Sequence, residues 1–134
     1  MRRPLREGRE PLLSICVPSQ GKKKESLLAQ ISQLTSLGHD PFCAYEYCLS
    51  LSSQPDPTFL SQLDATHVRY QVNLDAQTFH QNLERAILMA EGDYVLLLGD
   101  DDCISDEAVK EVVGRIQQSQ LANLAFTSMH PEEG

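Results

Sequence analysis

Hydrophobic positions along this chain change period in a regular way, and each change marks an element. "LLSICVPS" (12–19) is a short apolar run closed around a proline, which predicts a buried strand. In the stretch that follows, Leu27, Leu28, Ile31 and Leu34 fall on one helical face, with Gly38 as the stop. "FCAYEYCLSLS" (42–52) predicts a second strand. Asp56 then offers an N-cap with Pro57 at the first helical position, and Phe59, Leu60 and Leu63 face inward. "HVRYQVN" (67–73) alternates as a third strand. Phe79, Leu83, Ala86, Ile87 and Ala90 recur at helical spacing and define the strongest helix, ended by Gly92. "DYVLLLG" (93–99) is apolar almost throughout, as expected for a strand at the centre of a parallel sheet covered on both faces. Ser105 caps a helix that buries Ala108, Val109, Val112, Val113 and Ile116, and "LANLAFTSM" (121–129) predicts a fifth strand.

Strand and helix thus alternate along the whole chain, which specifies an α/β fold: three layers, doubly wound, around a mainly parallel sheet. At 134 residues this is one domain. It is expected over 12–130, after a basic, flexible N-terminal tail (1–11) and before a short C-terminal tail (131–134). In such sheets ligands bind beyond the carboxyl ends of the strands, where the strand order reverses.

Charge and composition narrow the function. A net charge of −8 argues against a general nucleic-acid binder, since phosphate neutralisation needs clustered cations; the local exceptions are Arg2, Arg3, Arg6 and Arg9 in the tail and Lys22–Lys24, which reads as a solvated face in preference to a source of phosphate-binding charge. No apolar run is long enough to span a membrane, and no apolar core of a leader follows the arginines, so a cytoplasmic protein is expected. Cys16, Cys43, Cys48 and Cys103 lack paired zinc-ligand spacing and read as small buried hydrophobes in a reducing compartment. His39, His67, His80 and His130 are scattered and read as surface residues.

The chemistry concentrates in "YVLLLGDDDC" (94–103), where the most apolar strand runs into three aspartates. Carboxylates so close raise one another's pKa unless a positive charge sits among them. That charge can be a helix end, with the acids merely solvating a loop, or a hard divalent cation, which takes one or two carboxylates along with phosphate oxygens and water. Asp100 and Asp102 can converge if the backbone turns at Gly99. Their place after a strand of a parallel sheet favours the cation. Receiver domains hold paired acids after their first strand, and Walker-type sites need a GxxxxGK[ST] loop; neither pattern is present. A magnesium-dependent phosphate-handling enzyme would need a nucleophile with a base near Ser19 or Ser50, and no base is evident.

"LLSICVPS" taken with "NLERAILMAEGDYVLLLGDDD" (82–102) resembles the nucleotide-sugar-binding portion of family-2 glycosyltransferases of the GT-A fold. Asn82, Arg85, Ala86, Ala90, Gly92, Asp93 and Tyr94 match the family's N-x-x-R-A-x-x-x-A-x-G-[DE]-Y helix-to-strand motif, and the likeness covers about residues 12 to 128. The resemblance implies an NDP-sugar donor, a UDP-sugar first, bound through Mg²⁺ or Mn²⁺ at Asp100 and Asp102, and transfer of a hexose-type sugar to an acceptor that it leaves open. It further implies that Pro18, Ser19, Gln20, Asp56, Asn82, Asp100 and Asp101 line the donor site.

Three departures from the family pattern stand out. Gln20 and Gly21 replace the aromatic residue and Asn expected after the proline, removing a stacking surface for the base. Leu51 stands where the second strand's nucleoside-binding Asp is expected, which leaves Asp56. The acceptor half with its carboxylate general base belongs well downstream of the DxD, so a truncated fold is expected, with no catalytic base to name and with an open sheet edge that invites a partner subunit or self-association. The alternative is a degenerate, non-catalytic binding module of the same fold.

Overall fold

The computed structural model describes residues 11–125, with side chains through residue 119. Strands β1 (Leu13–Ser19), β2 (Tyr45–Leu51), β3 (Arg69–Val72) and β4 (Tyr94–Leu97) alternate with helices α1 (Lys24–Ser32), α2 (Pro57–Asp64), α3 (Phe79–Met89) and α4 (Asp106–Ala125). All strand pairs are parallel, in the order β3-β2-β1-β4. β1 lies between β2 and β4, with Leu13 opposite both Tyr45 and Tyr94.

The order dictates the layers. The chain steps from β1 to β2 to β3 in one direction, then crosses back past β1 to β4. Right-handed crossovers put helices on one face when stepping one way and on the other face when stepping back. Accordingly, Leu27 and Ile31 of α1, Phe59 and Leu63 of α2, and Val109 and Val113 of α4 share a core with Leu13, Ile15 and Val17. Ala86 and Met89 of α3 pack on the opposite face, against Cys16 and Cys48. The fold is therefore the expected three-layer α/β arrangement. β1 is buried along its whole length, which is why its apolar run does not alternate.

Several local expectations are corrected. Leu121–Ala125, expected to open a fifth strand, instead continue α4, because alanines and leucines with no glycine or proline stop let the helix run on. The rest of that stretch lies outside the described residues, as do residues 1–10 of the N-terminal tail and the whole C-terminal tail. β4, expected at the centre, is an edge strand among the described residues, with Val95 and Leu97 both exposed. β2 starts at Tyr45, and Phe42 is exposed. On α3 the buried face is Asn82, Ala86 and Met89, so Phe79 and Ile87 point outward. Cys16 and Cys48 are buried as expected, Cys43 partly so, and Cys103 is exposed.

A polar cluster ties the turn before β4 to the sheet. Ser14 Oγ donates to Glu46 Oε2 at 2.6 Å and accepts from Gly92 N at 2.8 Å. Glu91 N donates to Glu46 Oε2, while Arg69 donates to Glu46 Oε1 and to the Met89 carbonyl. Burial pushes the Glu46 carboxyl up, but the bonds from Ser14, the Glu91 amide and Arg69 outweigh it and hold the group below its ordinary value. Gly92 passes so close to β1 that a Cβ there would meet Leu13 and Ser14 main-chain atoms at 2.9 Å.

Candidate functional site

The strand order reverses between β1 and β4, and a cleft of about 400 Å³ opens at their carboxyl ends. Pro18, Ser19 and Gln20 form one wall, Gly99, Asp100 and Asp101 another, and Phe79 and Asn82 of α3 a third. Ser19 joins all three. Its hydroxyl donates to Asp100 Oδ2 at 2.8 Å, and its carbonyl accepts from Asn82 Nδ2 at 3.1 Å. Asn82, only 4% exposed, accepts in turn from Ser50 Oγ, and Asn73 Nδ2 donates to that same hydroxyl. An amide in the buried face of a helix is costly unless paired, and here both ends of Asn82 are used.

The aspartate loop is held from inside. Asp102 N donates to the Gly99 carbonyl, and Asp102 Oδ2 accepts from Gly99 N at 2.8 Å, closing a small turn. Gly99 serves this turn by close approach and not by a left-handed φ: a Cβ there would lie 2.8 Å from Asp102 Oδ2. Gln30 of α1, 2% exposed, donates from Nε2 to the carbonyls of both Gly99 (2.8 Å) and Asp102 (2.7 Å). Tyr47 of β2 donates its hydroxyl to Gln30 Oε1. Burial first, and the Asp100 charge second, push the Tyr47 phenol far up, so it stays a donor. At the surface, Lys23 Nζ pairs with Asp101 Oδ2 at 2.8 Å, which holds the Asp101 carboxyl below and the Lys23 amine above their usual ranges.

The donor set fits a hard cation in part. Among the described residues Asp100 and Asp102 each engage only Oδ2 in a hydrogen bond, so each has a second carboxylate oxygen to offer. No group of three or more His, Cys, Asp or Glu among the described residues could hold a metal ion unaided. Two carboxylates with remaining positions filled by phosphate and water is the arrangement Mg²⁺ favours. Asp101 lines both the cleft and a neighbouring cavity, whereas Asp100 lines the first and Asp102 the second, so the loop is a partition between them.

Of the residues expected at a donor site, Pro18, Ser19, Gln20, Asn82, Asp100 and Asp101 come together in one cleft. Asp56 does not line it. Its Oδ1 caps α2 by accepting from Phe59 N at 2.7 Å, and its other oxygen pairs with Lys24. Leu51 is fully buried and belongs to the core. Sequence reasoning missed Gln30 and Phe79, and weighed Lys23 only within the Lys22–Lys24 run. Gln30 carried a usable signal, as a polar residue on the apolar face between Leu27 and Leu34. Phe79 carried none, since its neighbours in the cleft come from distant parts of the chain.

The family model for glycosyl transferase family 2 matches residues 14–133. No curated protein matches the chain.

Proposed function

The chain belongs to glycosyl transferase family 2, and we propose that its cleft binds the nucleotide diphosphate of an NDP-sugar, a UDP-sugar first, as donor of a hexose-type sugar to an acceptor. The observation that carries this reading is the Ser19–Asp100 hydrogen bond, which joins the ends of β1 and β4 at the point where the strand order reverses. Asp100, on the cleft wall, and Asp102, which lines the neighbouring cavity and would have to turn toward the cleft, are the residues to hold Mg²⁺ or Mn²⁺. A bound cation neutralises charge on the departing diphosphate. The chain's own contributions are positional. Ser19 orients the Asp100 carboxylate, Asn82 holds the Ser19 carbonyl, and Gln30 fixes the loop backbone. Lys23, lining the same cleft, supplies positive charge beside Asp101.

The second reading is a donor-binding module without transfer chemistry. It is favoured by one observation: the carboxylates among the described residues lining the cleft are Asp100 and Asp101, and a general base for an acceptor hydroxyl is a further demand on them.

Calorimetric titration tests the proposal, using UDP and UDP-sugars with Mn²⁺, with EDTA, and on an Asp100→Ala/Asp102→Ala double variant. Binding that requires the metal and is lost in the variant is the expected result. Failure to bind any nucleoside diphosphate with any divalent cation would overturn it. Sugar release or transfer measured on the same samples separates the two readings.

A further inference from the structure

One wall of the cleft has a largely exposed aromatic ring, whose ring neighbour is His80, tilted at 6.1 Å between centroids. Phe79 opens α3, is 66% exposed, and lines the same cleft as Ser19, Asp100 and Asp101. A single exposed ring on a protein surface is ordinary; a ring on the wall of a polar cleft, at a fixed helix start, is not explained by packing. The start is fixed by a capping box, in which Gln81 N donates to Thr78 Oγ1 at 3.1 Å and Gln81 Oε1 accepts from Thr78 N. Asn82, three residues further along α3 and on its buried face, is the residue that grips the Ser19 carbonyl. Hydrogen bonds run from Asp100 through Ser19 to Asn82, and Phe79 lines the same cleft.

Beside the ring, Ala76 is small and buried, while Gln20 and Gln77 are exposed amides on the cleft wall. A planar face flanked by amide groups that can both donate and accept is the chemistry that recognises a nucleobase: stacking on the ring and hydrogen bonds at the base edge. The turn after β1 holds Gln20 and Gly21 and so offers no ring of its own.

We propose that Phe79 is the base-stacking residue of this site, replacing from α3 the aromatic surface that the turn after β1 lacks, with Gln20 and Gln77 facing the base edge. This rests on the donor-binding reading and adds to it the residue that distinguishes a nucleotide from a bare diphosphate.

The test compares Mn²⁺-loaded UDP, GDP and ADP with Mn²⁺-pyrophosphate, which has the phosphates and no base, on the full chain and on Phe79→Ala and Phe79→Trp. The chain contains no tryptophan, so Phe79→Trp introduces a single tryptophan, excitable apart from the four tyrosines, at the proposed contact. Because the ring is largely exposed, both variants are expected to keep the parent's thermal midpoint. The expected result is a loss of about tenfold in affinity of Phe79→Ala for the tightest nucleotide, an unchanged affinity for pyrophosphate, and quenching of the Phe79→Trp signal by nucleotide and not by pyrophosphate. Unchanged nucleotide affinity in Phe79→Ala, or an equal loss for nucleotide and pyrophosphate, overturns the stacking role and leaves the donor site standing. Pyrophosphate binding without nucleotide binding also overturns it. If the parent chain binds neither, both readings fall.

Discussion

Gln30 Nε2 lies 2.7 Å from the main-chain carbonyl of Asp102, so a residue of α1 holds the loop that follows β4. The same nitrogen reaches the Gly99 carbonyl, and the Tyr47 hydroxyl fills the other end of the amide. Three groups thus share one side chain: the buried Tyr47 hydroxyl, the carbonyl of half-buried Gly99 and the carbonyl of exposed Asp102.

Gln30→Leu keeps the volume and the apolar face but leaves those partners unpaired. Each unsatisfied buried group costs roughly 1–3 kcal/mol, and partial relaxation of the loop reduces the sum, so a destabilisation of about 3 kcal/mol is expected. Urea unfolding of parent and variant measures it. An unchanged midpoint would mean that water replaces the amide and that the loop does not depend on α1.

Glu46 sets a dependence on acidity. Its folded pKa is depressed, so the stability it contributes is whole above the ordinary glutamate value of about 4.3 and is lost progressively as the pH falls below it. Glu46→Gln removes the charge from bonds with Ser14, Arg69 and the Glu91 amide, at a cost of about 2 kcal/mol at neutral pH. The gap between parent and variant should narrow on acidification toward pH 3, as read from urea midpoints across the pH range. A gap independent of pH would show that the charge is not what matters there.

Gly92→Ala should destabilise by about 2 kcal/mol, because its Cβ would meet the backbone of β1 and rigid main chain yields less readily than a side chain. Thermal unfolding checks this, and a neutral result would mean that the turn before β4 shifts freely.

Asp56→Ala separates a helix cap from a ligand contact. Loss of the bond to Phe59 N should cost about 1 kcal/mol of stability. Nucleotide affinity, measured on the same samples, should stay at the parent value. A fall in affinity with no change in stability would return Asp56 to the donor site.

How much of this was legible in advance follows from the range over which each signal acts. The elements of the α/β alternation were readable because apolar periodicity, the Asp56 cap with Pro57, and the Gly92 turn act within a few residues. The Asn82–Tyr94 motif and the three aspartates were readable for the same reason, as contiguous strings at a strand end. The periodicity of α3 misled at Phe79 and Ile87. It counted apolar residues, whereas the buried face carries Asn82 between β1 and β2, where Ser19 and Ser50 give it partners. Nothing local could report that, since the partners lie far away in the chain.

The sequence by itself determined the segments of β1 to β4 and α1 to α4, save that Leu121–Ala125 continue α4 where a strand was expected, and that a carboxylate loop follows β4, because propensity, capping and burial pattern are properties of neighbouring residues. Tertiary structure alone decided the rest. Reversal of the strand order at β1 set β4 beside it and so brought Asp100 to Ser19. The close docking of α1 on the sheet gave the loop Gln30, and the crossover of α3 to the opposite face carried Phe79 into the cleft. These are pairings between residues up to 81 positions apart, as for Ser19 and Asp100, and only the packing of layers selects them.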